Sequence, residues 1–172
     1  ACNNLIKRIL PENYNVQTDD GAGYTYEYDE MNRLVKITNM EGVVEHKYIY
    51  NLAGNLIKDI DAKGYLQAEN DQDRSGILYC YDLAGNVTQI RRPVSQTSDG
   101  QTKYRLNTYR YDLMGCCIEE KRYLEEQSEV SAEGKVNVIH YTYDQASRLT
   151  SVTDSTGAHM EYAYDGRNLR TM

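Results

Sequence analysis

Asp71, Asp73 and Asp82 carry the sharpest chemical suggestion in the chain. The stretch Asp71-Gln72-Asp73-Arg74-Ser75-Gly76 opens like a twelve-residue calcium-binding loop, and Asp82 falls at the twelfth place. Such a loop needs a helix behind it to carry the last ligand. Residues 77–81 (Ile-Leu-Tyr-Cys-Tyr) read as a strand instead, so no metal site is expected there. His46, His140 and His159 are scattered along the chain and read as solvated strand residues. The four cysteines, Cys2, Cys80, Cys116 and Cys117, show neither C-x-x-C spacing nor a nearby histidine pair. They read as small buried or half-buried thiols. No Ser/His/Asp or Cys/His set can be built from the spacing. The expectation is a non-enzyme with no catalytic residues, no cofactor and no metal.

Net charge and composition narrow the partners. A net charge of −7 repels a phosphate backbone, so nucleic acid is not an expected partner. The apolar runs are only a few residues long, and no membrane insertion is expected. Leu, Ile and Val together number 33, and the 17 Tyr stand in a chain with no Phe and no Trp. A tyrosine buries a broad ring while keeping one polar tip, so it can build a thin core where phenylalanine is absent.

The tyrosines are periodic. The units are Tyr26-Glu27-Tyr28-Asp29, Tyr48-Ile49-Tyr50-Asn51, Tyr79-Cys80-Tyr81-Asp82, Tyr109-Arg110-Tyr111-Asp112, Tyr141-Thr142-Tyr143-Asp144 and Tyr162-Ala163-Tyr164-Asp165. The second tyrosine therefore recurs at steps of 22, 31, 30, 32 and 21 residues. Residues two apart on a strand share a face, so each tyrosine pair points one way and the residue between points the other. The Asp or Asn that follows can bond backbone two residues on and start a turn. Three residues later come Asn32, Gly54, Gly85, Gly115, Ser147 and Asn168, the place for a positive φ. Ser147 fits that place poorly.

A second strand follows each turn. Leu34-Val35-Lys36-Ile37, Val87-Thr88-Gln89-Ile90 and Leu149-Thr150-Ser151-Val152 share an apolar–x–x–apolar pattern. A spacing of three puts its ends on opposite faces, so either the first apolar residue belongs to the turn or a bulge intervenes. Glu41-Gly42, Lys63-Gly64, Asp99-Gly100, Glu133-Gly134 and Thr156-Gly157 mark the second turn of each unit. Two turns per unit give an all-β fold, a continuous antiparallel meander of hairpins spanning 1–172 as one array. The longer steps place polar hairpin tips near 68–75, 93–102 and 125–132. Residues 4–9 (Asn-Leu-Ile-Lys-Arg-Ile) closely match 55–60 (Asn-Leu-Ile-Lys-Asp-Ile), so they read as the second half of an earlier unit. Met172 falls inside the last one, where Leu169 or Arg170 takes the leucine place. Both ends are thus expected to lie within repeats, and exposed strand edges are expected to pair with other copies.

The pattern Tyr-x-Tyr-Asp-x-x-Gly-Arg/Asn-Leu resembles the YD repeats of RHS (rearrangement hotspot) proteins, also present in teneurins and toxin-complex C subunits. Residues 50–56 (Tyr-Asn-Leu-Ala-Gly-Asn-Leu) and 81–87 (Tyr-Asp-Leu-Ala-Gly-Asn-Val) match it best, while 143–149 (Tyr-Asp-Gln-Ala-Ser-Arg-Leu) keeps the Arg and loses the Gly. The resemblance implies a twisted, curved sheet forming part of a hollow shell. It also implies a secreted or cell-surface protein whose partners are the rest of its own shell and an enclosed C-terminal toxin or other polypeptide. The autoproteolytic Asp motif found in some family shells is not seen here. Carbohydrate binding by the tyrosines is the alternative that the resemblance brings. Against it, a structural ladder of stacked rings would need the periodicity, whereas a ligand site needs only one or two copies. The off-pattern Tyr14, Tyr24, Tyr65, Tyr104 and Tyr123 are the better ligand candidates. Choline-binding aromatic hairpins have a similar period but build their cage from Trp, which is missing.

Overall fold

A single turn design repeats along the chain and sets the fold. At Asp29 the backbone N–H donates to the Arg33 carbonyl, and the Asn32 N–H donates back to the Asp29 carbonyl, both at 3.0 Å. The Asp29 carboxylate accepts the N–H groups of Met31 and Arg33 at 2.9 Å. Asp82, Asp112 and Asp144 repeat all four bonds, and Asn51 repeats the backbone pair with the Asn55 N–H on its side chain. The fourth residue of each turn has positive φ: Asn32 60°, Gly54 90°, Gly85 88°, Gly115 81° and Ser147 58°. This is a type I turn closed by a left-handed residue, which suits the twist of a hairpin. Ser147 adopts the conformation despite its Cβ.

The computed structural model describes residues 3–98, 100–126 and 134–165. The strands are β1 (Lys7–Asn15), β2 (Asp20–Tyr28), β3 (Leu34–Thr38), β4 (Val44–Tyr50), β5 (Leu56–Asp61), β6 (Ile77–Tyr81), β7 (Val87–Gln96), β8 (Thr102–Tyr111), β9 (Cys117–Tyr123), β10 (Val136–Tyr143), β11 (Leu149–Asp154) and β12 (His159–Glu161). One short helix, α1 (Ala62–Gln67), interrupts them. The strands form one antiparallel sheet whose order follows the chain from β1 to β12. The expected meander is the fold. Compact packing divides the chain into two units, Ala1–Leu78 and Tyr79–Met172.

The spacing of three resolves as a bulge. Glu27 pairs with Lys36 but Tyr28 pairs with Leu34, so Val35 is skipped. The same slip occurs at Tyr50–Leu56, Tyr111–Cys117 and Tyr143–Leu149. Each bulge sits where the second tyrosine ends its strand.

The second turns depart from expectation at one place, Lys63-Gly64. Lys63-Gly64 is not a turn but lies in α1, which Asp61 caps by accepting the Gly64 N–H at 2.7 Å. Gly64 is buried, and a Cβ there would stand 2.0 Å from the Ser75 carbonyl oxygen. The helix therefore needs glycine for close approach and not for positive φ. In the stretch 93–102, β7 runs on to Gln96 and β8 begins at Thr102, and between them the Thr97 N–H donates to Gln101 O at 2.8 Å. Pro93 sits within β7 opposite Tyr104, beside an irregularity at Pro93–Ser95. Asn39 and Asp154 start the remaining second turns with the same bonds used by the first turns. Cys2, Asp99, Glu133, Asn168, Leu169, Arg170, Met172 and most of 125–132 lie outside the described residues.

The core is thin. Ile60 is fully buried in the first unit, where α1 lies against β4 and β5. Leu106 and Ile139 are buried in the second.

Candidate functional site

The repeated tyrosines make repeated bonds. In five of the units the hydroxyl of the second tyrosine donates to a backbone carbonyl earlier in the chain. Tyr50 reaches Leu34 O at 2.8 Å, Tyr111 reaches Val87 O at 2.9 Å, Tyr143 reaches Cys117 O at 2.9 Å and Tyr164 reaches Leu149 O at 2.7 Å. Tyr28 reaches Leu5 O at 3.0 Å, which puts Leu5 in the same column as Leu34. These five tyrosines were expected to stack ring on ring, and the structure gives hydrogen bonds instead. The reason is spacing. Successive second tyrosines lie two strands apart, about 9–10 Å, beyond the centroid distance of about 4.5–7 Å for an aromatic pair. The hydroxyl can still reach the strand between. His46 stacks on Tyr48, with centroids 5.7 Å apart.

Two arginines tie repeat to repeat. Arg33 holds the Asp29 carboxylate with Nε and Nη2 at 2.7 Å, lies 4.6 Å over the Tyr50 ring, and donates to the Asn51 carbonyl at 3.3 Å. Arg148 holds Asp144 in the same way and lies 4.9 Å over Tyr164. The turn carboxylates of Asp29 and Asp144 titrate below the usual range, chiefly because backbone N–H groups of Arg33 and Arg148 bond them.

The calcium-like stretch is occupied by protein cations. Arg74 is buried: its Nε donates to the carbonyls of Tyr65 at 3.0 Å and Ala68 at 2.8 Å, and its guanidinium lies 3.7 Å over the Tyr65 ring. Arg74 and Lys47 both pair with Asp71, at 2.5 and 2.6 Å. Burial opposes ionisation of Asp71, but those two cations outweigh it and hold its carboxyl below the usual range. Lys58 Nζ donates to the Asp71 and Gln72 carbonyls at 2.7 and 3.2 Å. Asp73 faces Asn70 at 2.5 Å. Among the described residues no group of three or more His, Cys, Asp or Glu is placed to hold a metal.

Glu120 was not singled out by its sequence position. It is buried and accepts from Arg122 Nε at 2.7 Å, Asn107 at 3.1 Å and the Tyr141 hydroxyl at 3.1 Å. The Arg122 bond is the main cause of its lowered pKa. Tyr141 is pushed up to about 12, by burial first and then by the Glu120 charge. A carboxylate flanked by polar residues in a strand reads as solvent-facing, so nothing in the local pattern marks it.

The remaining candidates are dispersed. Tyr26, Tyr48, Tyr79, Tyr109 and Tyr162 are half-buried, and the residues between the tyrosines are exposed except Ile49. His46 Nδ1 lies 2.9 Å from Asp59, His140 is 3.8 Å from Glu119, and His159 is 2.7 Å from Thr153. Cys116 and Cys117 are half-buried free thiols, but Cys80 is exposed, with Sγ 3.6 Å from Gln89, because it stands in the outward column. Of the off-pattern tyrosines, Tyr14 bonds Asp19, Tyr24 lies under Arg8, Tyr65 lies under Arg74, and Tyr104 and Tyr123 pair with Pro93 and Val136. They do not converge on one place.

No protein-family model matches the chain. Teneurin-1 of Gallus gallus is 24% identical over 181 residues, covering 91% of this chain and 6% of that protein. The fold is similar to a chain in the TcdB2-TccC3-Cdc42 crystal structure, with a TM-score of 0.59, 17% identity, and coverage of 91% of this chain and 8% of that one. TcdB2-TccC3 without its hypervariable C-terminal region gives 0.58, 17%, 91% and 8%. The chain thus spans a small part of the length of these relatives. The chain is thus an array of Tyr-x-Tyr-Asp hairpin repeats, similar in sequence to teneurin-1 over 91% of this chain and similar in fold to TcdB2-TccC3.

Proposed function

We propose that this chain is a non-catalytic structural stretch of a larger secreted or surface protein, and that its repeats help enclose or present another polypeptide. We read 1–172 as one array, with the 21 tyrosine, Asx and glycine positions of the repeat as its framework. The observation that carries this reading is where the polar capacity of each repeat goes. The hydroxyls of Tyr28, Tyr50, Tyr111, Tyr143 and Tyr164 bond backbone carbonyls, the Asx side chains bond their own turns, and Arg33 and Arg148 lie over a tyrosine of the next repeat. A wall must hold its repeats together over a long span, and this chemistry is spent on that. The TcdB2-TccC3 neighbours support the reading by fold. The same commitment of hydroxyls speaks against a sugar platform, which would need them free for ligand.

Limited proteolysis of the full-length protein that carries this chain tests the proposal. Segments outside the repeats should be protected while the repeats are intact. They should become cleavable when the rungs are removed by replacing Tyr50, Tyr111 and Tyr143 with Phe. Equal cleavage in both forms would contradict it. A glycan array with specific binders would favour carbohydrate recognition instead.

A further inference from the structure

The Arg33 clamp has a counterpart position that lacks an arginine. In the next repeats the equivalent of Arg33 is Asn86, and the equivalents of Asp29, Tyr50 and Asn51 are Asp82, Tyr111 and Asp112. The correspondence is geometric as well as sequential. A Cβ on Gly54 would meet Arg33 Nη1 at 3.9 Å, and a Cβ on Gly115 would meet Asn86 Oδ1 at the same distance. Asparagine brings a neutral amide to this place and no cation for Tyr111, and its Nδ2 donates back to its own Asp82 at 3.0 Å. What remains over the Tyr111 ring is a groove of about 620 Å³ lined by Asp82, Asn86, Tyr111, Asp112 and Leu113, with Leu83 as the other apolar wall. Leu83 and Leu113 are fully exposed at the two turn tips.

We infer that this groove binds a guanidinium group, the side chain of an arginine carried by another polypeptide segment. The groove has the parts that hold Arg33 and Arg148 in this same chain. These are a turn carboxylate to take the charge, a tyrosine face to take the plane, and the next turn's carbonyl as a further acceptor. The Tyr111 hydroxyl is bonded to Val87 O, which fixes the end of the side chain as Leu34 O fixes that of Tyr50. The Asp82 carboxylate has one oxygen bonded by two backbone N–H groups, while the other accepts from the neutral Asn86 amide. A charged donor competes well against that amide. Lysine satisfies the site less well, because an ammonium cannot present a flat face to Tyr111 while bonding Asp82. The flanking leucines fit an arginine with apolar neighbours in its own segment. The net charge of −7 favours the approach of a basic segment.

Amide chemical-shift titration of the 172-residue chain with N-acetyl-arginine methylamide tests the site, with the neutral isostere N-acetyl-citrulline methylamide as control. Saturable shifts at the Gly85, Asn86 and Gly115 amides, with none from citrulline, are expected. Asn86→Arg should fill the groove from within and weaken the response at those amides by at least about tenfold. An equal response to citrulline, no saturable shift, or unchanged binding in N86R would overturn the inference. So would equal shifts around Asp144, where Arg148 already occupies the place.

Discussion

Ser147 is the residue least suited to its place. It holds φ at 58° where its column otherwise has Gly or Asn, and a Cβ in that region costs about 1–2 kcal/mol. Ser147→Gly is expected to stabilise the chain by about 1 kcal/mol in urea denaturation. Tyr143→Phe removes the hydroxyl that bonds Cys117 O and should cost about 1 kcal/mol by the same measurement, since it also leaves a carbonyl short of a donor. Tyr141 gives a pH test. Its folded pKa is raised to about 12 from the ordinary 10.0. Its contribution is fully present below the ordinary value and is lost as pH rises through the folded one. Above that ordinary value the unfolded chain sheds the proton first, so alkali favours unfolding. An ultraviolet titration should show phenolate forming last at Tyr141, and Tyr141→Phe should flatten the alkaline fall in the thermal midpoint. The Asx and positive-φ columns were legible in the sequence because the side chain itself makes the turn bond. The tyrosine rung was not, because its acceptor is a backbone carbonyl and leaves no mark in residue type.

At the scale of elements, the tip between β5 and β6 is held by Arg74 together with Lys47 and Lys58. Arg74 gathers the carbonyls of Tyr65 and Ala68, the Tyr65 ring and the Asp71 carboxylate. Arg74→Ala leaves those acceptors buried and should destabilise by about 2–4 kcal/mol, and hydrogen exchange should speed up first in 62–75. If that loss appears instead in β9 and β10, the tip is not an independent fastening. The hairpins were legible from Tyr-x-Tyr-Asp and the apolar spacing, including the bulges. Helix α1 was hidden because Lys63-Gly64 looks like the turn dipeptides Glu41-Gly42 and Thr156-Gly157. The difference lies in packing. Asn39 and Asp154 stand three before their glycines, as does Asp61 before Gly64, but Gly64 is packed against Ser75 and cannot swing out. The stretch 93–102 looked like loop because Pro93 and polar residues fill it, yet β7 needs no N–H from Pro93 at its irregular pairing with β8.

At the scale of the molecule, repetition sets the fold and disperses the chemistry. The Asx turn, the tyrosine rung and the bulge recur from repeat to repeat, so the same polar groups are spread along the sheet. Where a column changes type, the surface changes with it: Arg33 and Arg148 close the gap to the next tyrosine, and Asn86 leaves it open. A density map of the full-length protein that carries this chain, from electron cryomicroscopy, tests the central proposal most directly. It should show the Tyr-x-Tyr-Asp hairpins continuing as a wall around a separate, chemically distinct polypeptide. Repeats that form an open sheet with both faces in solvent, and no enclosed or presented chain, would contradict it.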